Sequence, residues 1–230
     1  MKNLLLTLSV AMLSLGSAIS QNRYSQDEVV TKDDHLTYLK SDMTPVSGIV
    51  SSKYIDGQLE HEWHVKEGKE EGLWRKWHEN GQLKKEFNFK DGKKEGAYRW
   101  WYENGQLEVE GNFKDGKEEG LFKKWYDSGE LRGEGSFKDG KLEGLVRWWH
   151  ENGRLMSEET YKEGKEEGLS RTWFENGQLE VEGNFIDGKE EGQFRTWHET
   201  GQLKGEGNFK DGEQLSWKKW DKSGNEIKAK

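Results

Sequence analysis

Glycine recurs in this chain at a fixed interval, and that interval limits the folds available to it. One series occupies positions 57, 81, 105, 129, 153, 177 and 201, and a second occupies 68, 92, 116, 140, 164, 188 and 212, each stepping by 24. A fixed period in the 20–50 range marks a repeat array, in which each unit buries its apolar surface against its neighbours. Glycine this frequent cannot lie inside a helix of ordinary length, but at a turn its access to positive φ is an advantage. Each half of the unit is seven to nine residues of strand-forming sequence bounded by Asn-Gly or Asp-Gly, the strongest short-range hairpin signal. In one copy the halves run from Gly72 to Gly81 and from Gln82 to Gly92. One unit is therefore one hairpin. The chain reads as all-β, an elongated single-layer antiparallel sheet of tandem hairpins with about 15 strands.

Composition fits a thin sheet better than a thick core. Of the 230 residues, 31% are hydrophobic and 35% charged, a balance that could also describe a disordered chain. The 12 tryptophans and the strict period argue for order. With no cysteine, stability must come from strand pairing and packing. The net charge of −8 gives no electrostatic reason to bind nucleic acid or anionic lipid headgroups.

Three segments follow. Residues 1–20 place Lys2 before an apolar run from Leu4 to Leu15, then Gly16, Ser17, Ala18 and Ser20. This is the layout of a secretory signal peptide cleaved after Ala18 or Ser20, so the chain is expected to be exported to a periplasmic or extracellular location. The run is short for a membrane span, and no second one follows, so no membrane insertion is expected after cleavage. Residues 21–43 lack the period and read as a linker or irregular lead-in, and residues 44–230 form the array.

Three apolar columns run through the repeats: Trp77, Trp101, Trp125, Trp149, Trp173 and Trp197; Leu83, Leu107, Leu131, Leu155, Leu179 and Leu203; Phe89, Phe113, Phe137, Tyr161, Phe185 and Phe209. Two turn registers compete for them. A two-residue Asn-Gly loop pairs Arg75 with Glu86 and its counterparts, and sets Tyr98 over Gly111, Phe122 over Gly135 and Phe194 over Gly207. A three-residue Glu-Asn-Gly loop with a glycine bulge instead pairs Trp77 with Leu83 and places all three columns on one face. The bulged loop is favoured, because a half-buried sheet gathers its apolar residues on one side.

The stretches Val109–Gly116 and Val181–Gly188 (VEGNFKDG and VEGNFIDG), each continued by a Lys-Glu-Glu-Gly segment, resemble the MORN repeat, and the tandem ENGQL…KDGKxEG form resembles its bacterial variant over about residues 44–227. The resemblance implies a repeat protein that binds a partner protein. Bacterial proteins of this kind are commonly labelled antitoxin components of toxin–antitoxin modules.

Carboxylates are plentiful, but Glu119 has counterparts at Glu71, Glu95, Glu143, Glu167 and Glu191. Catalytic groups occur once per site whereas turn charges occur once per repeat, so no catalytic residue, cofactor site or metal site is expected. His78, His150 and His198 share a column with Tyr102, Tyr126 and Phe174, which asks for a flat ring rather than a ligand. His61 and His64, three apart on a strand, fall on opposite faces. Two functions remain: a scaffold for an unidentified protein partner, and a binder of cell-wall glycan through surface rings. The candidate partner surface is Trp74, Tyr98, Trp100, Tyr102, Trp148 and His150. A sugar ladder should present a ring in most repeats, yet the column Lys76, Trp100, Lys124, Trp148, Thr172, Thr196 does so in two of six, which favours protein.

Overall fold

The computed structural model describes residues 22–228; the signal-peptide reading of residues 1–20 lies outside them. The array is one open sheet of 21 strands beside a separate two-stranded sheet. Strands Gly48–Lys53, Leu59–Lys66, Lys69–Trp77 and Leu83–Lys90 follow one another antiparallel, and the pattern continues to Glu213–Trp220. Four of the 21 are two-residue stubs, such as Lys93–Lys94, that continue across a bulge into the next strand. Two more are added edges, Arg23–Ser25 and Glu226–Ile227. Fifteen full strands remain, as the period requires.

The two kinds of turn differ for reasons legible in their residues. At Asp-Gly both residues take positive φ, Asp91 at 52° and Gly92 at 79°, which is the backbone of a two-residue hairpin loop. At Asn-Gly the amide of Gly81 donates to the carbonyl of His78, and that of His78 to the carbonyl of Gln82, closing the expected three-residue loop. Trp77 then faces Leu83, but the register shifts at once, and Lys76, Arg75 and Trp74 face Lys85, Glu86 and Phe87. Both registers are therefore present in each hairpin, joined by a bulge at Lys84.

That bulge overturns the expectation that the three columns share a face. Side chains alternate along a strand, so Trp101 points away from its neighbour Trp100, which pairs with Val109. One face, here the ring face, carries Phe87, Tyr98, Trp100, Val109, Phe113 and Phe122, linked by ring contacts such as Tyr98–Phe113 at 4.7 Å between centroids. The opposite face carries the Trp77 and Leu83 columns together with the Arg–Glu pairs.

On that opposite face the charges alternate without a break from Glu62 through Arg75, Glu86, Arg99, Glu110, Lys123, Glu134 and Arg147 to Glu158. Each carboxylate thus has a cation both within its hairpin and across the junction to the next. Arg147 Nε meets Glu158 at 2.8 Å and Arg171 meets Glu182 at the same distance. Half-exposed pairs of this kind contribute little singly, but opposite charges at every crossing fix register.

The ring face buries residues although only one layer of backbone lies beneath it. Tyr98 is 3% exposed, Phe122 3% and Val146 0%. Rings lie flat over glycine, so that a methyl group at Gly111 would come 2.7 Å from the Tyr98 ring, and one at Gly135 2.8 Å from Phe122. Phe194 departs from expectation: it leans over Gly183, while its paired Gly207 is covered by Trp217. Lysine stems close the cover, with Lys85 Nζ 4.3 Å from the Trp100 ring and Lys94 Nζ 4.4 Å from that of Phe87.

Residues 22–47, expected as a linker or irregular lead-in up to residue 43, are structured. Arg23–Ser25 adds parallel to Gly48–Lys53, a single 3₁₀ turn spans Gln26–Glu28, and Val29–Thr31 pairs with Thr37–Leu39. Val29 and Val46 pack there with Val50 and Val65, joined by Tyr24, Leu39 and Trp63. This unit covers the first hairpin and occupies its open edge, which would otherwise template pairing with other chains.

Candidate functional surface

Ladders of bonds along both rims take up side-chain types that elsewhere do chemistry. Glu71 accepts the amide of Asp91, Glu95 that of Asp115, Glu119 that of Asp139, and so on to Glu191 and Asp211, at 2.8–3.0 Å. This carboxylate column was expected to be solvated turn charge; it instead ties each turn to the next. On the other rim the rings of Tyr54, Tyr102 and Tyr126 donate to the carbonyls of Trp77, Trp125 and Trp149, while His78 and His150 donate through Nε2 to those of Trp101 and Trp173. The column needs a ring, as the sequence indicates, and also a donor at its tip. Phe174 has the ring without the donor.

Asparagine adds a third ladder: Asn80, Asn104, Asn152 and Asn176 donate to the carbonyls of Glu103, Asp127, Glu175 and Glu199. Ser128 and Thr200 occupy this position in two other turns, and their shorter side chains make no such bond. The sequence shows that these columns recur, but the partner 23 residues on becomes apparent only when hairpins stack.

All six candidate surface residues lie on the ring face. Trp74, Tyr98, Trp100 and Trp148 belong to its central rows, and Tyr102 and His150, two residues beyond Trp100 and Trp148, to its rim. They are not equally available. Tyr98 is a core residue rather than surface, and its hydroxyl donates to Glu118 at 2.7 Å. Burial together with that carboxylate pushes its phenol far above the ordinary value. Trp100 and Trp148 are half-buried, with Lys85 and Lys124 over their rings, and Tyr102 and His150 already bond the next repeat. Trp74 is flanked by His61 and Phe87.

Two hollows open on this face. The first, about 510 Å³, lies where the lead-in unit meets the sheet, and is lined by Trp63, Trp74, His61, Glu60, Glu70 and Gln26 among others. Burial raises the pKa of Glu70, and burial with Lys76 nearby lowers that of His61. The second, about 690 Å³, includes His150, Ser157, Glu159, Thr172, Phe174 and Glu180. The lead-in unit's contribution to the first hollow carried no sequence signal, because residues 21–43 fit no repeat register.

The MORN repeat variant model matches six consecutive segments, residues 70–91, 94–115, 118–139, 142–163, 166–187 and 190–211. No curated protein matches the sequence. Among solved structures, S. aureus TarM in complex with fondaparinux, alpha-GlcNAc-glycerol and UDP is 15% identical with a TM-score of 0.28, over 42% of this chain and 19% of that one. A second TarM structure gives 16% and 0.27, over 41% and 19%. A Bacteroides fragilis protein of unknown function gives 10% and 0.12, over 80% of this chain and 90% of that one. This chain thus spans about a fifth of TarM, and likenesses at these scores carry no functional argument.

Proposed function

The chain belongs to the MORN repeat variant family, a repeat protein with a binding or scaffold role, and from that premise we propose that it is an exported, non-enzymatic array whose ring face receives a protein partner. The observation that carries this reading is the use made of the repeated polar groups. The Glu71 and His78 columns, the natural stock for acid–base or metal chemistry, are engaged in holding one hairpin to the next. What the array offers outward is a wide sheet face with two hollows, the form in which repeat proteins meet extended partners. Export rests on the layout of residues 1–20. An antitoxin-like role, in which the partner is a toxin, is the specific form that family resemblance suggests.

Capture of partners from envelope extracts with the natural chain and with a Trp74→Ala, Trp148→Ala variant tests the reading. A specific protein retained by the natural chain and lost with the variant is expected; recovery of no specific protein refutes it. Fractionation of the native protein tests export, and accumulation of the full-length chain in the cytosol would count against it.

A second reading, cell-wall glycan binding, is favoured at one place. The 510 Å³ hollow sets Trp63 and Trp74 beside Glu60, Glu70 and Gln26, the ring-plus-polar lining that sugars prefer. Retention on insoluble peptidoglycan that disappears with Trp74→Ala would promote it.

A further inference from the structure

On the ring face the aromatic cover is broken. Trp100 and Trp148 give way to Thr172 and Thr196 in their row, and Phe122 and Val146 to Glu159 and Ser170 in the row beside it, where the second hollow opens. The opposite face has no such break. Trp77, Trp101, Trp125, Trp149, Trp173 and Trp197 each pair with a leucine of the Leu83 column, so a row alternating tryptophan and leucine crosses six consecutive hairpins. A ladder of rings for sugar should present one in most repeats, and here every one of the six does.

These rings are not used as those of the ring face are. All six are half-buried rather than core. Ring-face aromatics touch one another and lie under lysines, whereas none of the six makes a ring–ring contact or carries a cation over its ring among the described residues. None donates its indole N–H to a protein acceptor, and, unlike the enclosed N–H of Trp100, each of these reaches the surface. An indole with an open donor and a half-exposed ring can offer apolar contact and a hydrogen bond together. Two residues before each ring lies the basic member of the Arg–Glu ladder, where Arg99 and Glu110 are 47% and 41% exposed. The ladder's charges cancel in pairs, so the polar groups flanking the stripe suit an uncharged ligand.

Rings in successive hairpins stand two strand spacings apart, about 9.6 Å. That is close to the length of one disaccharide in an extended β-linked chain of the cellulose or chitin type, in which every second sugar turns the same face to the same side. Strands in a sheet are rotated relative to one another, so the rings follow a twisted line that suits a single chain rather than a flat crystalline surface. We propose that the tryptophan–leucine stripe binds one uncharged polysaccharide chain of this type. The apolar faces of alternate sugars would lie on the indoles, and their hydroxyls would bond the indole N–H groups and the ladder. The inference rests neither on the protein-binding reading of the ring face nor on the 510 Å³ hollow, since the stripe is on the other side of the sheet.

Titration of the ¹⁵N-labelled natural chain with chitohexaose and with cellohexaose reads each indole N–H directly. Shifts of the six column indoles are expected with at least one of these sugars, and none with maltohexaose, whose α linkages coil the chain. The disaccharide of the bound series should bind about tenfold more weakly than its hexasaccharide, because it reaches one ring rather than three. A Trp125→Leu, Trp149→Leu variant inserts the residue that already alternates with the rings. Every run of three consecutive rings includes one of these two, so hexasaccharide binding should weaken about tenfold. Its amide spectrum and thermal midpoint report whether it folds, and the indole shifts of the natural chain decide the matter if it does not. No indole shift with either β-linked hexasaccharide, an equal response to maltohexaose, shifts confined to Trp63 and Trp74 in the hollow, or undiminished binding by the folded variant would each overturn the proposal. Protein binding is judged separately, by capture with the Trp74→Ala, Trp148→Ala variant, whose substitutions lie on the ring face.

Discussion

At Gly111 the backbone is extended and a side chain would be allowed by φ alone, yet the Tyr98 ring occupies the space a methyl group would need. Gly111→Ala must push the ring off the sheet, and we expect a loss of about 1–3 kcal/mol, the usual cost of overpacking, measured by denaturant unfolding. The same substitution at Gly92 is destabilising for a different reason, its φ of 79°. Glu166 shows how charge is handled on the ring face. Burial and the neighbouring Glu159 raise its pKa above the ordinary carboxylate value, so the unfolded chain gives up its proton first as pH rises. The folded state is therefore penalised as pH climbs from the ordinary value through the raised one, and the penalty persists above it. Glu166→Gln should raise the thermal midpoint at pH 7, with the gain vanishing below about pH 4. A gain that is the same at both pH values would show that burial of this charge is not its origin.

A hairpin here has two faces with different roles, and the bulge after each Asn-Gly turn decides which residue goes where. Phe122, on the ring face and 3% exposed, and Trp125, half-buried beside Leu131 on the other, are three residues apart in one strand. Phe122→Ala should cost about 3–5 kcal/mol, and Trp125→Ala distinctly less despite its larger side chain, when compared by urea unfolding. The reverse order would return the tryptophan column to the core. The sequence shows the tryptophan column more plainly than the one that holds Phe122, because a period marks recurrence and says nothing of burial. The bulge was legible only as two registers in apparent conflict. Junctions between hairpins depend on the rim ladders, one rung of which Phe174 leaves unmade. Phe174→Tyr would supply a hydroxyl for the carbonyl of Trp197, as Tyr126 does for Trp149, and is expected to stabilise by about 0.5–1.5 kcal/mol in thermal unfolding.

For the whole molecule, fifteen full strands about 4.8 Å apart give a ribbon roughly 70 Å long. Small-angle scattering should return a radius of gyration above about 20 Å, against about 17 Å for a compact domain of this length. A value at the compact limit would mean that the sheet closes or folds onto itself in solution. The lead-in unit guards one end of the ribbon; at the other, Glu226–Ile227 covers only Lys219 and Trp220 of the last long strand. The candidate surface divides along similar lines. That rings cluster was evident from their columns, but that Tyr98 is core, that lysines cover Trp100 and Trp148, and that the hollows fall at the lead-in junction and at the break in the rings was not. Strand, turn position and repeat were settled by the residues alone, since Asn-Gly and Asp-Gly backbones and a period of 24 act locally, whereas the register of the Asn-Gly turn was left between two alternatives. Which face buries which column, and where the carpet of rings opens, was left to the stacked sheet. A bulge of one residue reverses every side chain beyond it, and the partners that cover a ring come from strands many residues away.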